Sequence, residues 1–170
     1  MNLEEAIKTA LKYENMVRDT YIEAGKQVKD AVGKKIFKTM ADEEQGHVDY
    51  LESRLDEWTK SGHMNIDQLD TVVPPKERID EGVAKLKDRI QEGKPSEQEL
   101  KLLQKALDVE NETSKFYQKM VSELDGEGQK LFERFVEIEE GHVAIVQAEI
   151  DALRGHGFWF DVQEFSLEMG

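Results

Sequence analysis

One polar pattern appears twice in this chain, each time inside an otherwise apolar helical seam. Glu44-Gln45-Gly46-His47 returns as Glu139-Glu140-Gly141-His142. A further glutamate precedes each copy in matching surroundings. Ala10-Leu11-Lys12-Tyr13-Glu14-Asn15 aligns without a gap on Ala106-Leu107-Asp108-Val109-Glu110-Asn111, which also sets Tyr21 on Tyr117. The glutamate stretches are offset by 96 residues and the Glu-x-x-His stretches by 95, so one residue separates the lengths of the two intervening turns. The chain therefore reads as two helical hairpins of one pattern, which packing would relate by a pseudo-twofold axis.

The seams give the helices. Leu3, Ile7, Ala10, Glu14, Val17, Tyr21, Ala24 and Val28 step by threes and fours, the period of a helix with one face turned inward. Asn2 followed by Glu5 reads as a capping box at its start. The pattern predicts a first helix over 3–30, a turn at Gly33, and a second helix over 34–60 with Phe37, Met40, Glu44, His47 and Leu51 on its seam. A crossover, 61–95, follows. Pro74-Pro75 ends its first part, 76–92 is compatible with an extra helix, and Gly93-Lys94-Pro95 closes it. Its length lets the third helix start at either end of the molecule, or pass the second hairpin to another subunit. Ser96 with Glu99 reads as another capping box for a helix over 97–124, and a last helix covers 127–154. The fold class expected is all-α: a single four-helix domain over 1–170 built from hairpins 3–60 and 97–154, with an aromatic tail, 155–170, that covers its own bundle end or a partner.

Four glutamates and two histidines thus replace apolar residues on inward faces. One Glu-x-x-His on a charged helix is an ordinary surface pair. Two aligned copies with two more seam glutamates are not, because four buried carboxylates without cations repel one another and each is costly to desolvate. Glu and His three residues apart share a helix face and can hold one ion together. A two-metal carboxylate site inside a four-helix bundle has this ligand set. In it Glu14 and His47 hold one ion, Glu110 and His142 the other, and Glu44 and Glu139 bridge both. Carboxylate and imidazole donors suit iron or manganese and are compatible with zinc. Tyr21 and Tyr117 lie two turns beyond Glu14 and Glu110 on the same faces. They read either as hydrogen-bond partners and proton- or electron-transfer groups of the site, or as core residues satisfied by any acceptor.

Composition narrows the partners. A net charge of −14 sets the chain against nucleic acid and anionic membranes. The absence of cysteine removes disulfides, zinc–thiolate and iron–sulfur sites. No basic, apolar leader opens the sequence and no apolar run approaches a membrane span, so a cytoplasmic protein is expected.

On Glu14, Glu44-x-x-His47, Glu110 and Glu139-x-x-His142 the chain resembles the ferritin-like diiron carboxylate superfamily, and within it the rubrerythrin family, over about 3–60 and 97–154. The resemblance implies a four-helix bundle that binds two irons, reduces hydrogen peroxide, and often dimerises. Two features differ. Thr113 stands where rubrerythrins carry an additional glutamate, and the sequence holds none of the cysteines of the rubredoxin domain that rubrerythrins usually carry. The set is then the symmetric one of bacterioferritin-type centres, with electrons arriving from an external donor. The expected function is a diiron oxidoreductase acting on peroxide or dioxygen. The alternatives are a ferroxidase or other iron-handling protein, and a metal-binding module without turnover.

Overall fold

In the computed structural model the described residues are 1–67, 69–86, 96–157 and Trp159, without the side chains of 85, 86 and 156. Five α-helices account for the secondary structure among them: α1 Leu3–Gln27, α2 Ala31–Ser61, α3 Lys76–Leu86, α4 Glu97–Glu123 and α5 Gly126–His156. The protein is all-α, with no strand among the described residues. None of these helices is long and apolar enough to cross a membrane.

Local chemistry sets the helix ends. The capping box at Asn2 is complete: its side chain accepts from the Glu5 N–H at 2.9 Å, and Glu5 accepts from the Asn2 N–H at 3.1 Å. The first turn falls earlier than Gly33. The carboxylate of Asp30 accepts the N–H groups of Val32 and Gly33, so α2 starts at Ala31 and Gly33 lies inside its first turn. An aspartate at this position satisfies two otherwise orphan donors, and that outweighs the preference of glycine for turns. Gly33 is used for packing instead, since a Cβ there would meet Trp159 and Val28 at 2.8 Å. At α4 only half of the expected capping box forms. Ser96 accepts from the Glu99 N–H, but the Glu99 carboxylate turns to the Trp159 indole N–H at 3.1 Å and the Asp30 N–H at 3.4 Å. The last helix is longer than 127–154, running from Gly126 to His156 and stopping at Gly157 with φ of +77°. His156, which falls within the expected tail over 155–170, is therefore helical.

α1 packs along α2, α4 along α5, and the two hairpins meet where α1 lies against α4; α3 lies on α5. The core has two apolar halves, and every long helix passes from one to the other at its seam glutamate, which on α2 and α5 is joined by a histidine. Ala6, Ile7 and Ala10 of α1, Leu51 of α2, Tyr117 and Met120 of α4, and Phe132 and Phe135 of α5 form one half. Val17 and Ala24, Phe37 and Met40, Leu103 and Ala106, and Val146 and Ile150 belong to the other. Their order along the chain makes α1 and α5 run one way and α2 and α4 the other. α4 therefore begins at the opposite end of the molecule from the end of α2, and the crossover spans its length, contributing Met64 and Leu69 to one half and Val73 and Ile79 to the other.

That crossover, here called the strap over 69–75, is pinned in several places. Arg134 donates to the Leu69 carbonyl at 2.6 and 3.1 Å, and the carbonyl of Pro74 rests against Gly141. The paired glycines thus have different surroundings. A Cβ at Gly141 would lie 3.0 Å from the Pro74 oxygen, while one at Gly46 meets nothing within 4 Å. Gly46→Ala is expected to stabilise the protein by about 1 kcal/mol through helix propensity, a rise of roughly 2–4 °C in Tm. Gly141→Ala should lose that gain to the displaced strap. Thermal unfolding of both variants checks this, and equal rises would show that the strap yields freely.

The tail packs on its own chain at Trp159. Its ring meets Phe37 edge-on with centroids 5.3 Å apart and is buried at the end where α2 and α4 begin. The rest of the expected tail, apart from 155–157, and residues 87–92 of the expected extra helix lie outside the described residues.

Candidate metal centre

All six expected ligands meet in a layer between the two apolar halves. Glu14, Glu44, Glu110, Glu139 and His142 are fully buried, and His47 is 1% exposed. Their ligand atoms gather into two sets, each within 4.8 Å: Glu14, Glu44, His47 and Glu139, and Glu44, Glu110, Glu139 and His142. Glu44 and Glu139 belong to both. The Nδ1 atoms of the histidines face the carboxylates. That of His47 lies 3.2 Å from both Glu14 Oε2 and Glu44 Oε2; that of His142 lies 2.8 Å from Glu44 Oε1 and 3.5 Å from Glu110 Oε1. The imidazoles stack with centroids 5.3 Å apart and planes 9° from parallel.

The tyrosines cross between hairpins. Tyr21 of α1 donates its hydroxyl to Glu110 Oε1 on α4, and Tyr117 of α4 donates to Glu14 Oε1 on α1. Each is fully buried, so these bonds answer the need of a buried hydroxyl for an acceptor and also aim a carboxylate of the layer. Thr113 is buried as well, but its hydroxyl bonds the Val109 carbonyl at 2.8 Å and brings no carboxylate to the layer.

Repeat logic missed Glu43. Its Oε2 lies 3.2 Å from His142 Nε2 and 4.0 Å from His47 Nε2, and with the two histidines it makes a third group able to hold a cation. It accepts in turn from the Thr71 hydroxyl at 2.6 Å and the Val72 N–H at 2.7 Å on the strap. Its place one turn before His47 on the same helix was the available signal. Ile138 at the equivalent position of α5 hid it.

Electrostatics divide the layer. Burial opposes ionisation of Glu14, yet the Glu44 hydrogen bond and the His47 charge outweigh it and hold Glu14 down at about 2. Glu110 is lowered against its burial by the charge and hydrogen bond of His142. Glu43, again despite burial, is held at about 2 by His142, Thr71 and Val72. Burial followed by the facing charges of Glu14 and Glu110 pushes Glu44 up to about 8. Burial and the charges of Glu110 and Glu44 push Glu139 well above the usual range. The histidines go up in spite of burial, His47 to about 10 beside Glu44 and Glu14, His142 well above its ordinary value beside Glu44 and Glu110. Tyr21 and Tyr117 are raised by burial and then by Glu110 and Glu14 respectively, so both keep their protons.

The donor atoms left over test whether a cation fits. Among the described residues, Glu44 Oε2, Glu110 Oε2, both oxygens of Glu139 and His47 Nε2 are buried without a hydrogen-bond partner. Buried polar atoms are normally paired, so five orphans in one layer suit ligands better than structural groups. The oxygen and nitrogen donors, with no thiolate, suit iron, manganese or zinc. The cluster could hold a metal ion.

Searches of protein-family models, curated proteins and solved structures found nothing that matches this chain.

Proposed function

We propose that the protein is a non-haem diiron oxidoreductase of the ferritin-like, rubrerythrin-resembling kind, which reduces hydrogen peroxide or dioxygen with electrons from an external donor. The observation that carries this reading is the sharing of Glu44 and Glu139 between two four-residue ligand sets. One cation would need only one such set; two sets with common carboxylates hold two ions close together. When bound, a pair of one-electron redox ions supplies the two electrons that cleavage of an O–O bond takes.

The chain's own residues do the rest. Glu14 with His47, and Glu110 with His142, are the terminal ligands, and Glu44 and Glu139 the shared ones. Tyr21 and Tyr117 fix the orientation of Glu110 and Glu14 and hold a proton at each carboxylate. Phe135, edge-on to His47 at 5.4 Å and beside Tyr117 at 5.1 Å, keeps water from one side of the layer. A dry, preorganised site of this kind strengthens every charge interaction within it.

Protein loaded with ferrous ion without oxygen is expected to oxidise, on mixing with peroxide or dioxygen, faster than free ferrous ion in the same buffer. With a chemical reductant present it should consume oxidant repeatedly. Stopped-flow absorbance of the ferric product and oxidant depletion follow the two. Oxidation no faster than that of the free ion ends this reading. A single round without repeated consumption favours iron handling, and failure to take up iron favours a module without turnover.

A further inference from the structure

The ligand set repeats, but its surroundings do not. Glu44, Gly46 and His47 map onto Glu139, Gly141 and His142, while Glu43 maps onto Ile138. Among the described residues one outer carboxylate serves two histidines. Its nearer oxygen sits 3.2 Å from His142 Nε2 and 4.0 Å from that of His47. The strap repeats nothing either. It latches Glu43 through Thr71 and Val72, and it covers the half of Gly141 through Pro74.

The consequence for the two imidazoles is unequal. His142 is engaged at both ring nitrogens, Nδ1 by Glu44 and Nε2 by Glu43. His47 is engaged at Nδ1 by Glu14, while its Nε2 is buried without a hydrogen-bond partner among the described residues. His47 also lines a pocket of about 360 Å³ with Gly46, Thr39, Asp42 and Asp70. A ring nitrogen donated to a carboxylate fixes the tautomer, presents the other nitrogen's lone pair to a cation, and holds the ring still. Only one half of the layer has that arrangement in full.

We propose that the two cation positions are inequivalent. Glu44, Glu110, Glu139 and His142 form the tight one, with Glu43 as the positioning residue of His142. Glu14, Glu44, His47 and Glu139 form the exchangeable one, which is reached from the pocket beside Gly46. This inference rests on the dinuclear reading above and adds an order of filling to it.

Titration with Co²⁺, followed by calorimetry and by the visible spectrum, tests it. The wild-type protein is expected to take up one ion per chain at least about tenfold more tightly than the second. Glu43→Gln, which keeps the shape and removes the charge, should weaken the tight step by about 10–100-fold and leave the weaker step within a few-fold. Thr71→Val, which loosens Glu43 without touching either histidine, should move the same step in the same direction by less. Proton NMR of the Co²⁺ form separates positioning from mere structure. A slowly exchanging, hyperfine-shifted imidazole N–H from one histidine is expected in the wild type and lost in Glu43→Gln. Two equal uptake steps in the wild type would overturn the inference while leaving a two-metal centre in place. So would a Glu43→Gln variant that weakens both steps alike. No uptake of Co²⁺, Fe²⁺ or Mn²⁺ by the wild type would overturn the dinuclear reading itself, and this inference with it.

Discussion

Replacing Glu139 by leucine is expected to make the metal-free protein more stable and to abolish loading of a cation pair. Glu139 is fully buried, and neither carboxylate oxygen receives a hydrogen bond from an N–H or hydroxyl group among the described residues. Burial and the charges of Glu110 and Glu44 hold it protonated, so in the metal-free state it is a neutral acid shut in with other carboxyls, with Glu110 as its acceptor. Exchanging such a group for an apolar side chain of similar volume removes its desolvation penalty, about 1–3 kcal/mol. Calorimetry in the presence of a chelator should show Tm rising. Both ligand sets lose a member at once, because Glu139 belongs to each. Metal analysis after exposure to excess Fe²⁺ should therefore find no more than one tightly held ion per chain. A fall in metal-free stability would mean that the Glu139 side chain makes a favourable contact in the layer. Two retained ions would mean that it is not a shared ligand. The opposite signs of the two effects separate a group placed for binding from one placed for folding.

Cation uptake is expected to release about four protons per pair of divalent ions at neutral pH. In the metal-free layer Glu44 with a pKa of about 8, Glu139, His47 at about 10 and His142 all hold protons at pH 7, whereas Glu14, Glu43 and Glu110 do not. Four protons carry the charge of two divalent cations, so the exchange leaves the buried charge unchanged, and metal affinity rises with pH. At pH 9 Glu44 has already titrated, and the release should fall to about three. Calorimetry in buffers of different ionisation enthalpy reads the number directly.

The same shifts set the pH dependence of the metal-free fold. Groups whose folded pKa is raised contribute stability that is present at low pH and lost as pH rises. The window runs from 4.5 to about 8 for Glu44 and from 6.5 to about 10 for His47. Glu14 and Glu43, lowered to about 2, contribute stability that is present above 4.5 and lost as pH falls toward 2. Metal-free stability should therefore peak near about pH 5 and decline through neutrality. The loaded protein should not show that decline. A metal-free Tm that is flat between pH 5 and 8 would contradict the proton assignment.

Much of this site was legible from short-range pattern. Glu14, Glu44, Glu110 and Glu139 stand where a three-and-four spacing demands an apolar residue, and the spacing of Glu44 to His47 guarantees a common face. Helix geometry is local, so sequence alone determined the four long helices and the six inward glutamates and histidines that meet in one layer. The ends were less legible where a cap competes with a glycine, as at Asp30 and Gly33. There a side-chain bond spanning two or three residues overrode a residue preference.

The tertiary structure decided what local pattern cannot hold. Tyr21 reaches Glu110 and Tyr117 reaches Glu14 because α1 lies against α4, across residues 89 and 103 positions apart. Trp159 claims the Glu99 carboxylate that the local sequence had assigned to a cap. The strap, with no counterpart in the repeat, joins Glu43 to His142 and shields one glycine of a matched pair while leaving the other open. A repeat encodes identical ligands, since each helix face is written within a few turns of chain. It cannot encode unequal surroundings, which arise only when a single crossover must pass down one side of a core built from two like hairpins.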